Sequence, residues 1–148
     1  VDKKYFVIVD EATGAGAGDV DLHFQLAPGE AVVDSTNFSI RTAFRDGWNV
    51  SVRSMDQKTM KLQEEEGWVS FAYTRKEPRP AFRYRIKKGA NEGVRFVTVV
   101  APYEGATPPK ITAQVTGKPE VGSSRLQLKV TADGVSKKVG YALPDVDL

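Results

Sequence analysis

Apolar and polar side chains take turns along most of this chain, and a period of two dictates extended strands with one buried face. Val20, Leu22, Phe24 and Leu26 alternate with Asp19, Asp21, His23 and Gln25. Phe82, Tyr84 and Ile86 alternate with Arg83, Arg85 and Lys87. Two runs, Tyr5 to Val9 and Val94 to Val100, are largely apolar on both faces, the pattern of central strands. Shorter runs lie at 38–40, 48–52, 68–73, 111–115, 126–130 and 138–142. Pro28-Gly29, Asp46-Gly47 and Asp133-Gly134 are turn signals, and the last predicts a tight hairpin. The best helical candidate, Asp56 to Glu66, has Met60 and Leu62 two apart, which suits a strand better. The expected fold is all-β, a two-layer antiparallel β-sandwich of about ten to twelve strands. Residues 1–148 are expected to form a single domain, with the strands after 106–109 completing the same sandwich, because that tail is too short to bury a core alone.

Composition narrows the chemistry. The absence of cysteine excludes a disulfide framework, a thiolate metal site and a cysteine nucleophile. No run approaches the roughly 18 apolar residues of a membrane-spanning helix, so no membrane insertion is expected. The chain opens almost directly into an apolar strand, without an initiator methionine, and is expected to be the C-terminal fragment of a longer multidomain protein. The net charge of +2 is small, but residues 75–95 hold eight basic and two acidic side chains. That stretch has a field suited to an anionic ligand. Nearly balanced charge and the lack of RNA-recognition or zinc-finger motifs argue against a nucleic-acid partner.

Individual residues carry two readings each. His23, the one histidine, shares a strand face with Asp19, Asp21 and Gln25. It is either a surface histidine or a metal ligand, with Asp10 joining it if their strands form a hairpin. A zinc site wants three or four protein ligands, which one histidine and carboxylates supply poorly. Glu64 to Glu66 read as a solvated turn, with no calcium-loop pattern. Arg83, Arg85 and Lys87 share a strand face, and Arg79 and Arg95 would join them if strands 82–87 and 94–100 paired. Such a row either grips carboxylates and sulfates or discourages edge aggregation. The glycine-rich stretch 14–18 lacks a phosphate-loop ending and a following helix, and reads as a flexible hairpin loop. The aromatic residues fall within predicted strands and most are expected in the core. No nucleophile-elbow or serine–histidine–acid arrangement stands out.

Four segments in order carry a resemblance: Tyr5-Phe6-Val7-Ile8-Val9-Asp10, Leu22-His23-Phe24-Gln25-Leu26, Trp68-Val69-Ser70-Phe71-Ala72-Tyr73, and Phe96-Val97-Thr98-Val99-Val100-Ala101-Pro102. Together they resemble the C-terminal β-sandwich of heparinase II/III-like polysaccharide lyases. The resemblance implies an upstream α/α-toroid domain in the same polypeptide and an acidic polysaccharide as substrate, cleaved by β-elimination with tyrosine and histidine groups supplied mostly by the helical domain. It implies a periplasmic or extracellular location. Some members hold a metal such as zinc in the sheet region; Asp10 and His23 are the nearest matches, but a second histidine is missing. No catalytic set and no cofactor are therefore expected of these residues themselves. The implied role is a non-catalytic accessory domain that braces the toroid, with Arg79, Arg83, Arg85, Lys87 and Arg95 as anionic-glycan contacts. The alternatives are an independent carbohydrate-binding module and a protein-interaction sandwich without glycan contact.

Overall fold

The computed structural model describes residues 4–55, 59–117 and 119–142. Among the described residues there are thirteen strands and no helix. They are β1 (Phe6–Ala12), β2 (Gly18–Gln25), β3 (Ala31–Asp34), β4 (Ser39–Thr42), β5 (Trp48–Ser54), β6 (Lys61–Glu65) and β7 (Trp68–Ala72). There follow β8 (Arg75–Pro78), β9 (Ala81–Lys88), β10 (Val94–Glu104), β11 (Ile111–Val115), β12 (Arg125–Ala132) and β13 (Val135–Ala142). A five-stranded sheet runs β1-β10-β5-β4-β3, a three-stranded sheet β2-β9-β6, another β11-β12-β13, and β7 and β8 form a two-stranded ribbon. Every pairing is antiparallel.

The expected all-β sandwich is present, with thirteen strands among the described residues instead of ten to twelve, and its central sheet is covered on both faces instead of one, so it serves two cores. Val97, Val99 and Ala101 of β10 pack with Leu126, Leu128 and Val130 of β12 and with Ile111 and Ala113 of β11. Val94 and Phe96 pack in a second core with Phe82, Tyr84 and Ile86 of β9, Ile40 of β4 and Val52 of β5. Alternation along β10 therefore feeds one core with odd positions and the other with even ones. This is why its sequence is apolar on both faces.

Strand β1 carries the same pattern for a different reason. It is an edge strand, paired only to β10. Val7 and Val9 pack against the first core, while Phe6 and Ile8 are 62% and 37% exposed. The expectation of a central position is corrected here. Strands β3, β6 and β8 add to the runs read from alternation. Residues 59–66 form no helix, and positions 56–58 of that candidate lie outside the described residues. Strands β11 to β13 share a core with the central sheet while forming a layer of their own. The Asp133-Gly134 hairpin forms as expected: Ala132 pairs with Val135, and both turn residues have positive φ, 50° and 82°.

Two polar devices fasten the layers. Tyr84, fully buried in β9, shares its hydroxyl proton between Phe38 O at 3.1 Å and Val52 O at 3.3 Å on the central sheet. Burial pushes this phenol well above its ordinary pKa, so it stays a donor. The Phe24 and Tyr84 rings meet edge to face, with centroids 5.9 Å apart and planes at 80°. Lys88, 5% exposed, donates to Gly14 O at 2.7 Å, to Gly89 O at 3.2 Å and to Gly16 O. Three carbonyls thus satisfy the three protons of a buried ammonium. The glycine-rich stretch is not a hairpin loop, since β1 and β2 belong to different sheets. It is a crossover pinned by Lys88 and by Asn91 N donating to Ala15 O at 3.1 Å.

Both devices are testable by thermal unfolding. Tyr84→Phe is expected to cost about 1–2 kcal/mol, because it strands backbone acceptors inside a core. Lys88→Met is expected to cost about 1–3 kcal/mol, while Lys87→Met, one residue away on an exposed face, stays within about 0.5 kcal/mol. Equal Tm values for the two lysine variants would rule out the clamp.

Candidate functional site

The outer face of the sheet β2-β9-β6 collects most of the residues singled out by sequence. Alternation turns Val20, Leu22 and Phe24 of β2 towards the second core. Asp19, Asp21 and His23 therefore point out. Register sets Asp19 beside Lys87, Asp21 beside Arg85 and His23 beside Arg83. On the other side of β9, β6 sets Lys61 beside Arg85 and Gln63 beside Arg83.

This face is an ion lattice. Arg85 grips Asp21 with both ends of its fork, Nε to Oδ1 at 2.6 Å and NH2 to Oδ2 at 2.5 Å. Its remaining NH1 lies 3.1 Å from Asp19 Oδ2. Arg83 Nε donates to Gln63 Oε1 at 3.2 Å, and its NH1 lies 3.8 Å from Asp21 Oδ2. The hydrogen bonds from Arg85 hold the Asp21 carboxyl below the usual carboxylate range, against the opposing effect of burial, with the charges of Arg85, Arg83 and His23 adding to the lowering. The same bonds raise the Arg85 guanidinium. An anionic ligand arriving here meets cations already engaged by acids, with Lys87 exposed at the margin.

Arg79 and Arg95 do not join the row. Strands β9 and β10 lie in different sheets, so the pairing that would have united them does not occur. Arg79 spends its guanidinium on Leu26 O at 2.6 Å and Gln25 O at 2.6 Å. The Arg95 side chain, 10% exposed, binds Glu11 and donates to Glu120 O at 2.7 Å and Pro119 O at 3.3 Å. Both serve as internal braces.

Asp10 and His23 also stand apart. β1 and β2 form no hairpin, and Asp10 sits on the face of β1 shared with Phe6 and Ile8, aligned with Phe96 of β10. Its Oδ2 is buried without a hydrogen-bond partner among the described residues. His23, whose side chain is 51% exposed, lies on the far side of sheet β2-β9-β6 and holds Glu65 Oε1 at 2.7 Å through Nδ1. Among the described residues no three His, Cys, Asp or Glu side chains converge. This donor set does not fit a zinc ion.

Several aromatics expected in the core are on the surface. Phe82, Tyr84 and Phe96 are buried, but Trp48, Trp68, Phe71 and Tyr73 are 66%, 41%, 72% and 96% exposed. The last three belong to the ribbon β7–β8, which pairs with no other sheet. Lys76 Nζ lies 3.9 Å above the Trp68 ring. The one signal for this in sequence was the row of prolines and charges, Arg75 to Pro80, beside the aromatics.

The ion lattice has a pH signature. A carboxyl depressed by folding stabilises the fold above its unfolded pKa, near about 4, and that contribution is lost as pH falls through the folded value. Asp21→Asn is therefore expected to lower Tm at neutral pH and to flatten the acid limb of the Tm–pH curve. Parallel curves for wild type and variant would show that Asp21 is not a source of the acid dependence.

Comparison with known proteins agrees with this architecture. The family described as heparinase II/III-like, C-terminal, matches residues 1–122. A heparin-sulfate lyase from Bacteroides stercoris is 31% identical over 144 residues, covering 97% of this chain and 22% of that protein. One from Pedobacter heparinus is 34% identical over 140 residues, covering 94% of this chain and 21% of that protein. The crystal structure of heparan sulfate lyase HepC from Pedobacter heparinus has a TM-score of 0.90 at 32% identity, covering 100% of this chain and 23% of its own. The chain thus spans about a fifth of the length of these larger proteins. With most of its residues matched and the all-β architecture shared, the chain belongs to the heparinase II/III-like, C-terminal family.

Proposed function

We propose that these residues form a non-catalytic accessory domain of an extracytoplasmic polysaccharide lyase acting on acidic glycans, and that they brace a preceding α/α-toroid domain of the same polypeptide. The observation that carries this reading is apolar surface that the domain's own cores leave open. One face of β1 exposes Phe6 and Ile8. The β7–β8 ribbon raises Phe71 and Tyr73 into solvent. A two-stranded ribbon is marginal by itself, and exposed aromatic surface of this kind marks a contact.

The stem of the ribbon is built to hold it in place. Arg79 N donates to Gly67 O at 2.9 Å, and Trp68 Nε1 to Glu66 Oε1 at 2.7 Å. A Cβ on Gly67 would meet Arg79 O at 2.6 Å, so the two ends of the ribbon need glycine there to come together. At the tip Thr74 has φ of 67°, a conformation β-branched residues avoid.

The non-catalytic part of the reading rests on side-chain chemistry. β-Elimination at a uronate needs charge neutralisation at the carboxylate, a base for the C5 proton and an acid for the leaving oxygen. His23, the chain's one histidine, is engaged by Glu65 on an open sheet face. On that face Arg83, Arg85 and Lys87 are the glycan contacts of this reading, with Arg83 and Lys87 the more adaptable because Arg85 is held bidentately.

The reading frame encoding these residues is expected to continue upstream into a helical domain; a frame without one would overturn the proposal. In the whole polypeptide, Phe71→Ser/Tyr73→Ser should lower the Tm of the helical domain and reduce kcat/KM on heparan sulfate. In the 148-residue chain the same changes should leave Tm within about 1 °C, since both side chains are exposed there. Unchanged behaviour of the whole polypeptide would remove the bracing role of the ribbon.

A further inference from the structure

A cleft of about 480 Å3 lies between the Trp48 end of the central sheet and the β12–β13 turn. Trp48 gives it exposed aromatic surface beside the nearly buried Tyr5 and Tyr103, and Lys4, Lys137 and Asp133 are the charged residues of its lining. Nothing in the bracing role uses it. Its volume falls within the roughly 300–1,000 Å3 usual for small-ligand sites.

The cleft is preformed. Tyr5 and Tyr103 are 4% and 6% exposed and belong to the packed body of the domain. Trp48 opposes Glu104 at the end of the β5–β10 pairing. The next residue, Asn49, is 3% exposed and fully bonded. Its Oδ1 accepts from Thr42 Oγ1 at 2.8 Å and Phe44 N at 2.9 Å. Its Nδ2 donates to Phe44 O at 3.1 Å and Gly105 O at 2.9 Å. This network fixes the backbone that carries Trp48, yet the indole itself remains 66% exposed. The indole is therefore open to solvent among the residues that line the cleft, where a ligand can meet its face. The opposite lip is a two-residue hairpin turn with both residues at positive φ.

The chemistry of the lining selects a ligand. An indole face packs against the C–H face of a pyranose ring, lysine ammonium groups donate to a carboxylate or sulfate, and a carboxylate accepts a hydrogen bond from a sugar hydroxyl. The other tryptophan is less suited, because the Lys76 ammonium already covers one face of Trp68. We infer that the Trp48 cleft is a binding subsite for one anionic sugar unit, a uronate or a sulfated hexosamine, of a longer glycan. The ligand class rests on the acidic-glycan reading above; the location rests on the cleft alone.

The 148-residue chain titrated with a heparan sulfate oligosaccharide and with maltohexaose, by calorimetry and tryptophan fluorescence, tests this. Saturable binding of the anionic oligosaccharide is expected. Trp48→Ala should weaken it about tenfold or more, and Trp48→Phe, which keeps a ring at the same place, less. Lys4→Gln/Lys137→Gln should flatten its salt dependence. Equal affinity in wild type and Trp48→Ala would overturn the subsite; if Arg83→Ala/Lys87→Ala then abolishes binding, the acidic-glycan reading stands without it. Equal, Trp48-dependent binding of maltohexaose would overturn the anionic class. Absence of binding by the wild-type chain would remove the subsite and the glycan contacts together, leaving the bracing role to its own test.

Discussion

The domain is organised by one strand that can have no wet face. β10 buries Val97, Val99 and Ala101 on one side and Val94 and Phe96 on the other. Each large apolar side chain removed from water contributes about 1.5–3 kcal/mol, so leaving either side uncovered would forfeit several of these at once. A layer is therefore required on both faces, and β11 to β13 and β2-β9-β6 supply them. At its centre Thr98, fully buried, meets Ser54 Oγ at 3.4 Å across the β10–β5 pair. With both faces spoken for, function falls to sheet surfaces and strand ends farther out.

Polar side chains hold the layers in register. Tyr84 reaches from one sheet to carbonyls of the next, Lys88 ties the crossover that links them, and Arg95 joins Glu11 to the segment before β12. Buried cations with complete sets of partners are costly to disturb but leave little for an external ligand. The arginines thus divide by neighbourhood. Those facing backbone carbonyls are structural, and those facing carboxylates on an open sheet can exchange partners.

Alternation made the strands and their class legible, because a period of two survives any arrangement of sheets. β9 and β12 follow it closely, and the Asp133-Gly134 turn was readable from two residues. Sheet order was not readable. β1 and β10 carry nearly the same apolar pattern, yet one is an edge and the other an interior strand, since the pattern counts faces that meet apolar surface and says nothing about where that surface comes from. For the same reason the row of Arg83, Arg85 and Lys87 was visible on one face, while the acids that engage it, distant in sequence, were not. Arg79 and Arg95 were grouped with that row by proximity along the chain, and topology separates them. The open positions of Trp48 and of the β7–β8 aromatics escaped because alternation assigns a face without telling whether anything covers it.

The contacts around Arg95 bear on where this unit can be cut. The match to the family model ends at residue 122, where Gly122 N donates to Glu11 Oε2 at 2.8 Å. Leu126, Leu128 and Val130, which close the first core, come after that point. A gene fusion or truncation made at this limit would discard the strands that shelter one face of β10. The stretch that the family model matches is therefore shorter than the stretch that closes the first core.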